Sequence, residues 1–194
     1  MARTLRPART RGKALPPLLF FTDPVRTPNA EGVIARLPRG AGVVYRAFGA
    51  PDAVVRGRRL ARAARRGGLV FLVGADAGLA IRLMADGVHL PERSASRAAG
   101  LKRARPRWIV TSAAHAPAAI VRARQAGADA VVVSPVFPSA SASAGRPIGP
   151  LRFTAMATKA RMPVYALGGI TAARARQLTR SGAVGLAAVE ALLG

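Results

Sequence analysis

Pro163-Val164-Tyr165-Ala166-Leu167-Gly168-Gly169-Ile170 is the stretch on which the reading of this chain turns. An apolar run of strand length stops abruptly at two glycines. Such a pair leaves backbone N–H groups open with no Cβ in the way, which suits a phosphate. It equally suits a tight turn from strand into helix, and the residues by themselves leave both roles open. Position decides more than composition here. One strand-like segment, Val184–Ala188, follows the pair, so Gly168 and Gly169 fall after a seventh strand. In eight-fold β/α barrels a phosphate commonly sits between the loops after the seventh and eighth strands.

Outward from this stretch the same unit recurs. Short β-branched runs at Leu18–Thr22, Gly42–Arg46, Leu69–Val73, Gly87–Leu90, Trp108–Thr111 and Ala130–Val133 read as strands. Ala/Leu/Arg runs of helical period fill the gaps: Ala30–Leu37, Asp52–Ala64, Ala77–Met84, Ala95–Ala104, Pro117–Gln125, Leu151–Lys159 and Ala172–Ser181, with a last helix from Val189. Strands this continuously apolar are expected to be parallel and covered on both faces. Eight such units imply α/β architecture, a single-domain TIM (β/α)8 barrel over residues 16–194. A doubly wound open sheet shares the alternation and is the alternative. An echo supports the barrel: Ala85-Asp86-Gly87-Val88, Ala128-Asp129-Ala130-Val131 and Ala183-Val184-Gly185-Leu186 each carry a helix end into a strand.

Residues 1–15 carry arginines and Lys13 without an acidic residue, and read as a flexible basic arm rather than a secretory signal. The chain has 31 Lys and Arg against 8 Asp and Glu, a formal charge of +23. That charge predicts attraction for anionic small molecules. The cations are spread over nearly every helix, and only 5% of residues are aromatic, so a dedicated nucleic-acid surface is not expected. No cysteine is present, which excludes disulfides and thiolate chemistry. No apolar run approaches the roughly 18 residues of a membrane span, and a cytoplasmic protein is expected. Oligomeric state is left open, a homodimer included. The connection from Ser134 to Gly149 is far longer than an ordinary βα loop and reads as a lid over an active site.

Four motifs in order resemble the thiamine phosphate synthase/TenI family across nearly the whole chain. They are Leu19-Phe20-Phe21-Thr22-Asp23, Ala85-Asp86-Gly87-Val88-His89-Leu90, Ser134-Pro135-Val136-Phe137-Pro138 and Ala166-Leu167-Gly168-Gly169-Ile170. The resemblance implies a β/α barrel of thiamine biosynthesis. Its synthases join hydroxymethylpyrimidine diphosphate to a thiazole phosphate, releasing pyrophosphate with Mg²⁺. Its TenI branch tautomerises a thiazole carboxylate phosphate without that step.

Carried over position by position, the resemblance is uneven. The Asn-Asp pair with which synthases hold Mg²⁺ and diphosphate corresponds to Gly74 and Ala75, with Asp76 next door. The second metal-binding Asp corresponds to about Ser94, and Glu92 is the nearby candidate metal ligand. The Arg-Glu-Lys motif becomes Arg46-Ala47-Phe48, keeping the arginine. On the phosphate side, Ser139 and Ser141 keep the lid hydroxyls, and Arg146 is the candidate replacement for the lid lysine. Gly168 and Gly169 keep the backbone cradle, whereas Glu190 stands where synthases have a serine and opposes a phosphate. The TenI-like histidine just after the fifth strand corresponds to His115, a candidate proton carrier or else a helix-start histidine bonded to backbone. His89 and Trp108 are expected in packing roles. The expected ligand is therefore a phosphorylated small molecule, with Mg²⁺ in doubt.

Overall fold

The computed structural model describes residues 9–10, 13–139 and 145–190. Eight parallel strands close into a barrel: β1 (Leu18–Phe21), β2 (Gly42–Tyr45), β3 (Val70–Gly74), β4 (Gly87–Leu90), β5 (Ile109–Ala114), β6 (Ala130–Val133), β7 (Val164–Leu167) and β8 (Gly185–Ala188). Neighbours in sequence are neighbours in space, and β8 pairs back onto β1 with Leu186 opposite Leu18 and Ala187 opposite Leu19. That closing ladder rules out the open-sheet alternative.

Alternation along each strand divides the apolar residues between two cores. Leu19, Phe21, Val44, Leu72, Ile109, Val132, Tyr165 and Ala187 fill the barrel interior. Phe20, Val43, Tyr45, Phe71, Val73, Val88 and Val110 face outward under the helices α1 (Ala30–Arg36), α2 (Ala53–Arg66) and α3 (Ala77–Arg82), where buried Trp108 also packs. On the other side Val131, Val133, Val164 and Ala166 pack under α5 (Pro117–Gln125) and α6 (Gly149–Lys159). The helix α2 shows where the charge goes. Gly57, Leu60, Ala61 and Ala64 form its buried stripe at helical spacing, and Arg56, Arg58, Arg59, Arg62, Arg65 and Arg66 are exposed on its back.

The segment expected as one helix from Ala95 divides into a 3₁₀ stretch, Glu92–Arg97, and α4 (Ala98–Ala104). The seventh helix is shorter than expected: α7 (Ala172–Arg176) buries no residue of its own and gives way to turns, with Leu178 as the residue that reaches the core. Strand β5 runs further than expected, to Ala114, and so carries His115 to the barrel rim. Residues beyond Glu190, where a last helix was expected, lie outside the described residues. Within the basic arm, Arg9–Thr10 and Lys13–Ala14 pair antiparallel. Leu15 is already part of the barrel, buried against its floor, where the Tyr165 hydroxyl donates to the Pro16 carbonyl at 2.7 Å.

The sequence echo has a structural cause at the same N-terminal end. Asp86 accepts the Phe71 N–H at 2.9 Å and Asp129 accepts the Val110 N–H at 2.8 Å, each tying its strand to the start of the strand before it. Asp129 also receives Lys102 Nζ at 2.8 and 2.7 Å, and Nζ bonds the Trp108 carbonyl at 2.9 Å. This ion pair is buried and fully coordinated. The third copy has Val184 in place of the aspartate and keeps only a backbone bond to Val164.

Candidate functional site at the barrel mouth

The C-terminal ends of the strands surround a cavity of about 1110 Å³. Its base consists of the last inward residues of the strands: Phe21, Gly74, His89, Ala113, Leu167 and Ala187. Five arginines line it (Arg26, Arg46, Arg82, Arg93 and Arg174) against two carboxylates, Asp76 and Glu190. Clefts at this face of a β/α barrel are where its enzymes act, and the lining of this one carries an excess of positive charge.

Asp23 organises one wall. Its Oδ1 accepts the N–H groups of Val25 and Arg26, closing the turn after β1, while Oδ2 accepts Arg46 at 3.1 Å. Arg46 also donates from Nε to the Thr22 carbonyl at 2.8 Å, and its guanidinium lies 5.8 and 5.0 Å from the Phe21 and Phe48 ring centres. The aspartate thus caps the turn and presents two arginines, rather than lining the cavity itself. Phe48 sits at φ 50°, a conformation unusual for a bulky residue, and is largely exposed at the cavity edge. Ala75 lies at φ 64°, a conformation Asn and Asp tolerate far better.

His89 does more than pack. Its ring meets Phe21 edge-on at 5.0 Å and its Nδ1 pairs with Thr111 Oγ1 at 3.0 Å, yet it also lines the cavity floor. Burial, with the charge of Arg46 nearby, pushes this imidazole down to about 3, so it stays neutral.

The opposite wall joins two loops. The Phe137 N–H donates to the Gly168 carbonyl at 3.0 Å and the Val136 N–H to that of Leu167 at 2.9 Å. A Cβ on Gly168 (φ 102°) would lie 2.8 Å from Pro135 Cα, and one on Gly169 (φ 62°) would lie 2.2 Å from the Pro138 carbonyl oxygen. Both glycines are therefore required by conformation and by this close approach. They also leave an open turn beside Arg174, which donates to the Gly169 carbonyl at 2.9 Å and lies over the Phe137 ring. Ser139 lines the same wall. Arg146 is exposed and outside the cavity lining, and Ser141 lies outside the described residues.

Glu92 and His115 come together although 23 residues separate them. Glu92 Oε2 accepts both the backbone N–H of His115 at 2.9 Å and its Nδ1 at 2.8 Å, and Oε1 accepts Arg122 at 2.9 Å. Burial alone would raise the Glu92 pKa, but the His115 bonds and the Arg122 charge outweigh it and hold the carboxylate below its usual range. A proton held on Nδ1 leaves Nε2 as the free acceptor. His115 is more than half exposed and borders the mouth cavity.

Mg²⁺ takes one or two carboxylates together with substrate oxygens. Glu92 is engaged by His115 and Arg122 and Glu190 by Arg26, while Asp76 accepts the Leu79 N–H at the start of α3 through Oδ1 alone and lines the cavity. Among the described residues no three His, Asp or Glu side chains converge to hold a metal. No preassembled Mg²⁺ site is therefore built among the described residues, and Asp76 is the cavity carboxylate that could meet a cation carried in by a substrate.

The family model described as thiamine monophosphate synthase matches residues 20–192, nearly the whole barrel. The chain belongs to the thiamine monophosphate synthase family. A "putative thiamine-phosphate synthase 2" of Aquifex aeolicus is 36% identical over 64% of this chain and 66% of its own length. A thiamine-phosphate synthase of Synechococcus is 30% identical over 91% of this chain and 52% of its own. The matches to these two relatives thus span between about half and two thirds of their lengths. Among solved structures, a thiamine phosphate pyrophosphorylase from Pyrococcus furiosus superposes with a TM-score of 0.77 at 26% identity, over 90% of this chain and 85% of that one. No helix among the described residues is long and apolar enough to cross a membrane.

Sequence reasoning placed Arg46, Ser139, Gly168, Gly169 and His115 around one cavity, and the structure gathers all five there. It missed Arg26 and Arg174. The signal available for them was slight: each follows by three positions a residue whose side chain accepts its backbone N–H, Asp23 in the turn after β1 and Thr171 at the start of α7.

Proposed function

We propose that this family member binds a phosphorylated thiazole in the mouth cavity and moves a proton on it without metal. The observation that carries the reading is the Glu92–His115 pair at the edge of an arginine-lined cavity. Phosphate binding would fall to the open Gly168-Gly169 turn with Arg174, Ser139 and the wall of Arg26 and Arg46. These groups fix the ligand's anionic end, and the cavity then sets its ring against His115. Nε2 accepts a proton from the acidic ring carbon and returns it at the neighbouring position, so no atom is gained or lost overall. Glu92 holds the ring orientation and stabilises the imidazolium while the proton is on it. A general base of this kind contributes about 10²- to 10⁴-fold in rate. Coupling to a pyrimidine diphosphate is the second reading, supported by the family and by the synthases among the relatives.

The experiment is a comparison of wild type and His115→Gln on thiazole carboxylate phosphate, with tautomerisation followed by NMR in the presence of chelator. The expected result is metal-free turnover that drops by about 10²-fold or more in the variant with ligand binding retained. Formation of thiamine phosphate from pyrimidine diphosphate, thiazole phosphate and Mg²⁺ at the same rate in both proteins would overturn it in favour of coupling.

A further inference from the structure

Glu190 follows β8, and ring closure sets it beside the loop after β1. Its two oxygens meet the Arg26 guanidinium as a fork: Nε to Oε1, and the second nitrogen to Oε2 at 2.8 Å. These are the two donors that a phosphate would take from Arg26, since carboxylate and phosphate match the same planar fork. Arg26, Glu190, Gly169 and Arg174 line one cavity. The arginine fork holds the Glu190 carboxyl below its usual range, so it is an anion at neutral pH.

We infer that Glu190 is a tethered competitor for the anion site, and that it raises the affinity an anion must bring to occupy it. The inference rests on the phosphate-binding reading above. Glu190 is nearly half exposed and Arg26 one-fifth exposed. Water reaches the Glu190 side of the pair, so the carboxylate can leave the fork for solvent, and its departure costs an incoming anion a few-fold in affinity. A dianionic phosphate monoester gains more from Arg26, Arg46 and Arg174 than the monoanion it displaces. A monoanionic carboxylate binds more weakly from the start and meets the same competitor. Glu190 therefore lowers the apparent affinity of every anion that needs Arg26 by a common factor of a few, which phosphate survives more readily than a carboxylate.

The test measures binding of inorganic phosphate and of acetate by calorimetry to the full chain and to Glu190→Gln, Arg26→Gln and Arg174→Gln. Glu190→Gln is expected to bind phosphate several-fold more tightly and acetate more tightly by a similar factor. Arg26→Gln is expected to lose phosphate affinity and to make a further Glu190→Gln change silent. Should Glu190→Gln leave both anions unchanged while Arg174→Gln abolishes phosphate binding, the competitor role is wrong and the phosphate site stands. Should none of the proteins bind phosphate at millimolar concentration, the phosphate reading falls and this inference with it.

Discussion

The two ends of this barrel use the same chemistry in opposite ways. At the N-terminal end, Lys102 and Asp129 are buried, and every oxygen and proton is matched by backbone or by the partner. At the C-terminal end, Arg26–Glu190 and Glu92–His115 are half open to solvent and border a cavity. A buried pair is costly to assemble and costlier to break, because the surviving charge has no water to turn to. An open pair can be exchanged for a ligand at little cost. Burial, not the identity of the partners, separates the ion pair that holds the barrel from the ion pairs that are free to serve a site.

That contrast can be broken in graded ways. Asp129→Ala strands the Lys102 ammonium and is expected to cost about 3–5 kcal/mol in urea unfolding, whereas Glu190→Gln is expected to cost less than about 1 kcal/mol. Equal losses would erase the distinction between the two ends. Gly169→Ala is next: its Cβ meets the Pro138 carbonyl at φ 62°, and a loss of about 1–3 kcal/mol is expected, with weakened phosphate binding. A variant with native stability would mean that the loop after β6 gives way freely. A third contrast is the acid response of His89. Its folded pKa lies below the unfolded value of 6.5, so protons bind the unfolded chain first and stability falls as pH drops from about 6.5 toward about 3. The depressed Glu92 and Glu190 add their own losses only below their unfolded value of 4.5. His89→Gln should therefore flatten stability between about pH 6.5 and 4.5, and an unchanged slope there would show that His89 is not the group responsible.

The barrel was legible because its strands are short apolar runs and its helices are Ala/Leu/Arg runs of a different period. Local pattern carries that information. The boundary errors fall where tertiary contact overrides it, as in α7, which has no buried residue to sustain it beyond Arg176. The glycine pair was legible as a site but not as a packing requirement, since the Pro135 and Pro138 atoms that forbid a side chain come from another loop. Glu92 was read as a metal ligand because a carboxylate near the right position is all that the sequence shows. Its partners, His115 and Arg122, arrive through the fold. With 31 basic residues, nothing local distinguishes Arg26 or Arg174 from the arginines on the back of α2.

The barrel floor carries a consequence for kinetics. Leu15 and Tyr165 stop the lower end, and the Tyr165 hydroxyl is bound to the Pro16 carbonyl. Among the described residues the lower end offers no passage, so molecules reach the cavity from the C-terminal face. If two reactants share it, the one seated deeper is covered by the other, and ordered addition is the kinetic pattern to expect.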